Sequence, residues 1–303
     1  MRESIVCVGR TGTKPYRFPE TGVPVYSYEE LCYYLSSHMI CYLYTLPEED
    51  LLVYIRDELG LEKLYRQLSR LTDPDRDQMK YFSALFREGH YFSEDEIREI
   101  LDEYRDLKNT PYPLQCKWMG DMFLGAGRAA MAIHYYREAL KPETMGRVET
   151  GAAYHNMAIA QSRLIRFEDA KINFVKAYQY AGDEESLFYY YCLIAFTENL
   201  ERAGEEMEAF KVSELSLESF ENRFAGIADA FGCSEKAEKQ KKITYLLERD
   251  KEEEAEKIYE KFVRDLQREF RPEIEMEDNL LSTGLPVRKE LIKRYTQGWK
   301  LVV

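Results

Sequence analysis

Two stretches decide the fold: GDMFLGAGRAAMAIHYYREAL at residues 120–140 and YHNMAIAQSRLIRFEDAKINFVKAY at residues 154–178. Shifted by 38 residues, they share one frame, with Gly120 on Ala158, Ala132 on Ala170, Tyr136 on Phe174 and Ala139 on Ala177. Repetition at a period of this size is the signature of stacked supersecondary units, each too small to bury its apolar face alone. The small residues let one helix approach its partner closely, and the aromatic rings fill the space between successive pairs. Phe123 and Gly127 in the first stretch and Phe167 in the second complete a pattern spread over two helices apiece.

Working outward, the break Asn109-Thr110-Pro111-Tyr112-Pro113 separates this region from what precedes it. Before the break, Ser27 stands three residues ahead of Glu30 and Ser93 three ahead of Glu96, two capping boxes that open predicted helices. Pro47 suits a first helical position, with Leu51, Leu52 and Ile55 as the apolar stripe and Gly60 as the stop. The first 26 residues differ. A β-prone run at Ser4 to Val8 is followed by Pro15, Pro19, Gly22 and Pro24, which predicts a short strand or hairpin leading into helices. After the repeat, helices are expected at Leu187 to Leu200, at Leu215 to Phe231 and around Ala255 and Tyr259.

The two stretches resemble the tetratricopeptide repeat family, with the A-x-x-x-Y/F-x-x-A signature intact at Ala132 to Ala139 and at Ala170 to Ala177. The similarity covers roughly Leu114 to Ala181. It departs from the family at the tryptophan that opens each repeat, since Trp118 lies two residues away from that position. RDKEEEAEKIYEKF looks like a later copy, with Phe262 where the family prefers Ala. The opening VPVYSYEELCYYL joined to such repeats is also similar to uncharacterised bacterial tetratricopeptide proteins.

The resemblance implies a solenoid of helical hairpins whose first helices line a concave groove, a geometry suited to binding rather than chemistry. In the family register the groove positions are Lys117, Asp121 and Leu124 from the first repeat and His155, Asn156 and Ile159 from the second. This mixed surface suits a peptide whose backbone bonds to Asn156 and whose side chains rest on Leu124 and Ile159. The alternative is that the N-terminal helices or the chain's own C-terminus cover it. One subclass of the family grips a C-terminal carboxylate with basic and Asn residues; Lys117 and Asn156 match two positions. Asp121 replaces a required Asn and would repel the carboxylate, so that clamp is not expected.

The chain's 303 residues carry 42 Lys and Arg against 55 Asp and Glu, a formal charge of −13 that repels nucleic acid and anionic membranes in the absence of a local basic patch. An apolar share of 45% supports a sizeable core, and 16 Gly with 10 Pro leave too few turns for a large all-β fold. The N-terminus lacks a signal-peptide pattern, which predicts a cytoplasmic protein. The apolar run Leu31 to Leu46 is too short to span a bilayer and predicts a buried helix. Six scattered cysteines without CxxC pairs read as reduced core residues.

Charge is uneven. Residues 183–222 hold 11 acidic and 2 basic side chains, while Val287 to Val303 hold 5 basic and 1 acidic. A C-terminal helix at Val287 to Gln297 is therefore expected to cap the acidic side of the array. Local chemistry is sparse. Gly9 to Lys14 has glycines too closely spaced for a phosphate loop, and Pro15 stands where Ser or Thr is needed. His38, His90, His134 and His155 form no HExxH or HxH spacing, and no GxSxG is present. The aromatic run Phe188 to Tyr191 adjoins the most acidic stretch, which favours packing or a protein contact over base stacking.

The expected fold is all-α: an N-terminal lead and helical region at 1–110, then a tetratricopeptide-like helical-hairpin solenoid with a capping helix at 111–303. The expected function is a noncatalytic adaptor or scaffold binding a protein or peptide, with no cofactor, metal, nucleic acid or membrane partner. A regulator whose superhelix closes on a peptide is the alternative from another class, and an enzyme with nonlocal catalytic residues is a third.

Overall fold

A computed structural model describes residues 9–47, 49–71, 78–233, 235–247, 249, 251, 254–261 and 264. The expected strand at Ser4 to Val8, the capping helix at Val287 to Gln297, Cys7 and Phe262 lie outside these residues. The molecule is mostly helical. A two-residue antiparallel ladder pairs β1 (Tyr16–Arg17) with β2 (Pro24–Val25), Tyr16 opposite Val25. There follow α1 (Tyr28–Ser37), a 3-10 turn (Met39–Tyr42), α2 (Glu49–Asp57), α3 (Glu62–Ser69), α4 (Gln78–Glu88) and α5 (Glu94–Asn109). Then come α6 (Tyr112–Gly125), α7 (Ala129–Leu140), α8 (Arg147–Arg163), α9 (Phe167–Ala181), α10 (Glu184–Thr197), α11 (Leu200–Ala209), α12 (Glu214–Gly232) and α13 (Glu235–Leu247). No helix among the described residues is long and apolar enough to cross a membrane.

Contacts divide the chain into two compact units, Met1–Arg128 with Arg137–Thr144, and Ala129–Tyr136 with Met145–Val303. In the first, both capping boxes form: the Ser27 and Ser93 side chains accept from the N–H groups of Glu30 and Glu96, whose carboxylates accept from the cap N–H groups in return. The run from Leu31 divides at His38, whose Nδ1 lies 2.8 Å from the Tyr34 carbonyl, so it forms α1 plus the 3-10 turn rather than one helix. Phe82 is the aromatic hub, with Tyr42, Tyr81, Phe86 and Tyr104 around it at centroid distances of 5.6–6.1 Å. Tyr54 Oη donates to the Val25 carbonyl at 2.9 Å and so ties the β-ladder to α2.

The break at residues 109–113 is a tight corner between α5 and α6 inside the first unit. Buried Gln115 donates through Nε2 to the carbonyls of Leu107 at 2.8 Å and Thr110 at 2.9 Å, and it accepts from Tyr44 Oη at 2.5 Å. These bonds satisfy carbonyls that a helix end otherwise leaves open.

In the second unit α8 and α9 pack closely. A Cβ built on Gly151 would lie 2.5 Å from Ala181 Cβ and 3.1 Å from the Ala177 carbonyl, so the approach depends on the bare glycine. Asn173 Nδ2 donates to Gln161 Oε1 at 2.8 Å across the same interface, pairing two buried amides. Ala158, Ala170 and Phe174 form the core beside it. A second core gathers Leu187, Phe188, Tyr191 and Ile194 of α10, Ala203 and Met207 of α11, and Phe220 of α12. Of the cysteines, Cys32 and Cys116 are buried, Cys41 and Cys192 half-buried, and Cys233 exposed, which departs from an all-core reading.

The repeat extends to the backbone. The turn after α6 places Gly127 at φ 75°, and the turn after α8 places Ile165, 38 residues on, at φ 60°. Arg128 N–H donates to the Phe123 carbonyl at 2.8 Å, and Arg166 N–H donates to Gln161, the equivalent position, at 2.9 Å. The next residue pair also agrees: Gly127 to Leu124 at 3.2 Å, Ile165 to Ser162 at 3.0 Å. Arg128 and Arg166 then open α7 and α9 with nearly the same backbone angles, φ −96° and ψ 65° against φ −88° and ψ 61°. A β-branched residue strongly disfavours positive φ, so Ile165 holds this conformation because the turn and its burial require it.

Candidate functional site

The six sequence-selected positions fall on two helices, one in each unit. On α6, Lys117, Asp121 and Leu124 are half-buried. Four-residue spacing brings Lys117 Nζ to 2.6 Å from Asp121 Oδ2, so the cation is engaged within its own helix. That pairing removes the repulsive carboxylate and the attractive ammonium together, leaving Leu124 as the apolar element of this face.

On α8, His155, Asn156 and Ile159 are also half-buried. His155 Nδ1 lies 2.9 Å from Ser186 Oγ, and its ring stands edge-on to Phe174 and Tyr189, with both centroids at 5.4 Å. Ile159 packs beside the Ala158, Ala170 and Phe174 core together with Tyr189, Tyr190 and Leu193 of α10. Two of the three α8 positions therefore hold successive helices together. Asn156, half-buried like its neighbours, is also engaged in an interaction within the protein.

Around His155 the fold assembles a charged frame. Arg223 of α12 reaches Glu185 of α10 through Nη1 to Oε2 at 3.0 Å and Nη2 to Oε1 at 2.8 Å, the two-point geometry of an Arg–carboxylate pair. Its guanidinium also lies 3.5 Å from the centre of the Phe188 ring. The hydrogen bonds from Arg223 hold the Glu185 carboxyl below the usual range. Burial pushes the His155 imidazole below its ordinary value, against the opposite pull of Asp183 and Glu185. Burial likewise pushes the Cys192 thiol up to about 12, which keeps it protonated and unreactive.

Neither Ser186 nor Arg223 was a sequence candidate. Arg223 sits one residue beyond the acidic stretch of 183–222, where a lone cation after so many carboxylates was the available signal; Ser186 had none. The Ser186 hydroxyl is buried, with the residue 1% exposed, and so the His155–Ser186 pair is placed as a strut between α8 and α10.

The Gly9 to Lys14 turn has an occupant of its own. Glu58 Oε2 accepts from Thr13 N at 2.7 Å, Thr13 Oγ1 at 2.7 Å and Lys14 N at 3.3 Å, so a carboxylate from the end of α2 fills the place a bound anion would take. These bonds lower the pKa of Glu58. Among the described residues no group of three or more His, Cys, Asp or Glu side chains is arranged to hold a metal. No family model, curated protein or solved structure matches this chain.

Proposed function

We propose that the region from about residue 111 onward is a tetratricopeptide-like array and that the protein is a noncatalytic adaptor. It binds a protein or peptide through the first helices of its hairpins, among them α6 in the first unit and α8 in the second. The observation that carries this reading is the repeated turn: positions 38 residues apart share positive φ, carbonyl partners and helix-opening angles, as well as buried small and aromatic residues. Repetition of backbone geometry, and not of composition alone, is what a stacked-repeat scaffold requires. Such scaffolds present side chains of their first helices to a ligand, and the family register puts Leu124 on α6 and Asn156 on α8 at such positions.

The test is retention from native lysate on immobilised wild-type protein and on an Asn156→Ala, Leu124→Glu variant matched to wild type by circular dichroism. A protein retained by wild type is identified, purified and titrated into both by calorimetry. Loss of its binding in the variant supports the adaptor reading. Equal binding to both proteins, or no retained protein, overturns it.

A further inference from the structure

The Gly9 to Lys14 turn is built as an anion cradle. It is pinned at two points that do not involve Glu58: the Gly9 N–H donates to Oε1 of buried Glu29 at 3.0 Å, and the Gly12 N–H donates to the Tyr26 carbonyl at 2.7 Å. Gly12 also lies so close to α2 that a Cβ there would come 2.9 Å from Tyr54 Oη and 3.3 Å from Glu58 Cβ. Held in this way, the chain aims the N–H groups of Thr13 and Lys14 and the Thr13 hydroxyl at one point, which Glu58 Oε2 occupies. Successive backbone N–H groups that converge on a point make an anion site, whichever anion fills it. Arg10, Thr13 and Lys14 are exposed, so the cradle opens to solvent. The Lys14 ammonium attracts the Glu58 carboxylate, and the Arg10 guanidinium lies across Gly60, with Nη1 2.9 Å from where a Cβ would stand. Glu30, which also acts on Tyr54, is committed to the N–H groups of Tyr26 and Ser27. Residues 1–8, outside the described residues, carry one cation and one carboxylate, Arg2 and Glu3, and leave this balance of two cations to Glu58 unchanged.

We propose that this cradle is an exchangeable site for a phosphate-class oxyanion and that Glu58 is its built-in competitor. The competitor itself selects the ligand. A free carboxylate offers only the chemistry that Glu58 already supplies, and the tether holds Glu58 at an effective concentration of millimolar order, so an external carboxylate is outcompeted. A phosphate carries up to about two charges and more acceptor oxygens. It takes the Thr13 and Lys14 donors and also faces the cations of Lys14 and Arg10, whose charge-assisted hydrogen bonds are the stronger kind. A nucleotide polyphosphate is a poor fit, because the chain after Lys14 enters β1 at Tyr16 and opens no helix whose N–H groups could hold further phosphates. When the oxyanion enters, the Glu58 side chain swings into solvent and the turn loses its tie to α2, while its pins at Gly9 and Gly12 remain.

The experiment follows the Thr13 and Lys14 amide signals of the isotope-labelled full chain by NMR while inorganic phosphate, acetate or chloride is added at constant pH and ionic strength. We expect saturable shifts with phosphate, about tenfold weaker binding of acetate, and no saturable shift with chloride. Glu58→Ala, which removes the competitor, tightens phosphate binding about tenfold, whereas Thr13→Val, which deletes the hydroxyl donor, weakens it several-fold. Glu58→Gln keeps the side-chain volume and gives up the charge. It serves if the alanine variant disturbs signals beyond the turn, and it tightens binding in the same direction. O-phosphoserine distinguishes the source of the oxyanion: binding equal to that of inorganic phosphate assigns the site to phosphoryl groups carried on larger molecules, and failure to bind assigns it to the free ion. Shifts that do not saturate, chloride shifts equal to those of phosphate, or Glu58 variants that bind phosphate no more tightly than wild type overturn the proposal and leave Glu58 a structural latch.

Discussion

The positive-φ positions show what a single residue contributes to the repeat. Gly127 and Ile165 occupy equivalent turns at φ 75° and 60°, yet only glycine adopts that conformation without a steric penalty. A Cβ at Gly127 meets nothing within 4 Å, so Gly127→Ala isolates the backbone penalty from packing. We expect that substitution to destabilise the fold by about 1 kcal/mol in urea unfolding, with an unchanged m value. Lys211, exposed at φ 56° after α11, is the mirror case, and Lys211→Gly raises stability in the same assay. No loss from Gly127→Ala and no gain from Lys211→Gly would show that these turns are relaxed. The sequence alignment placed Gly127 in the repeat frame, but nothing about Ile165 as a residue type announces a left-handed turn. Its conformation follows from the carbonyls of α8 and from burial, both supplied by the rest of the chain.

At the level of elements, helix starts were readable because they depend on neighbours in sequence. The Ser27 and Ser93 boxes form where the three-residue spacing to Glu30 and Glu96 put them, and α10 and α12 begin within three residues of their expected sites, whereas α11, which starts at Leu200, and α13 were not expected. The helix expected across Leu31 to Leu46 instead divides at His38, because the imidazole bonds back to the Tyr34 carbonyl and stacks on the Tyr34 ring at 4.1 Å. Inter-helix distance is a tertiary quantity. Gly151 lies in an ordinary helical stretch, and only the packing of α8 on α9 makes its missing side chain necessary. We expect Gly151→Ala, which favours an isolated helix, to destabilise this protein by about 1–3 kcal/mol through overpacking against Ala177 and Ala181. A gain in thermal stability would show that α8 and α9 have room to adjust. The partners of the candidate positions belong to the same class: Lys117–Asp121 follows from four-residue spacing, whereas His155–Ser186 joins helices whose contact no local pattern encodes.

For the molecule as a whole, the pH dependence of stability combines contributions from both units. His38 in the first and His155 in the second are each pushed below the ordinary imidazole value of 6.5 chiefly by burial. The Tyr34 carbonyl opposes that shift at His38, and Asp183 and Glu185 oppose it at His155. The unfolded chain therefore takes up protons more readily than the folded one below about pH 6.5, so stability is intact above that value and falls as pH drops through it. At lower pH the Glu185–Arg223 pair adds to the loss, since the Glu185 carboxyl is lowered in the folded state. Melting temperatures measured between about pH 7.5 and pH 5.5 should decline, and a His38→Gln, His155→Gln variant should flatten that decline. A profile unchanged by the double substitution would place the titration elsewhere.

The amino-acid sequence alone determined the helical class, the 38-residue repeat and the capped helix starts, because each depends on periodicity or on partners a few residues apart. Tertiary structure decided what those residues face. It put Glu58 in the Gly9 to Lys14 turn, set Arg223 on Glu185 and Phe188, and made the Asn109 to Pro113 break a bonded corner. The physical reason is range: hydrogen-bonded helices and their caps are closed within a few residues, whereas burial, ion pairing and pKa depend on groups brought together only when separate helices pack.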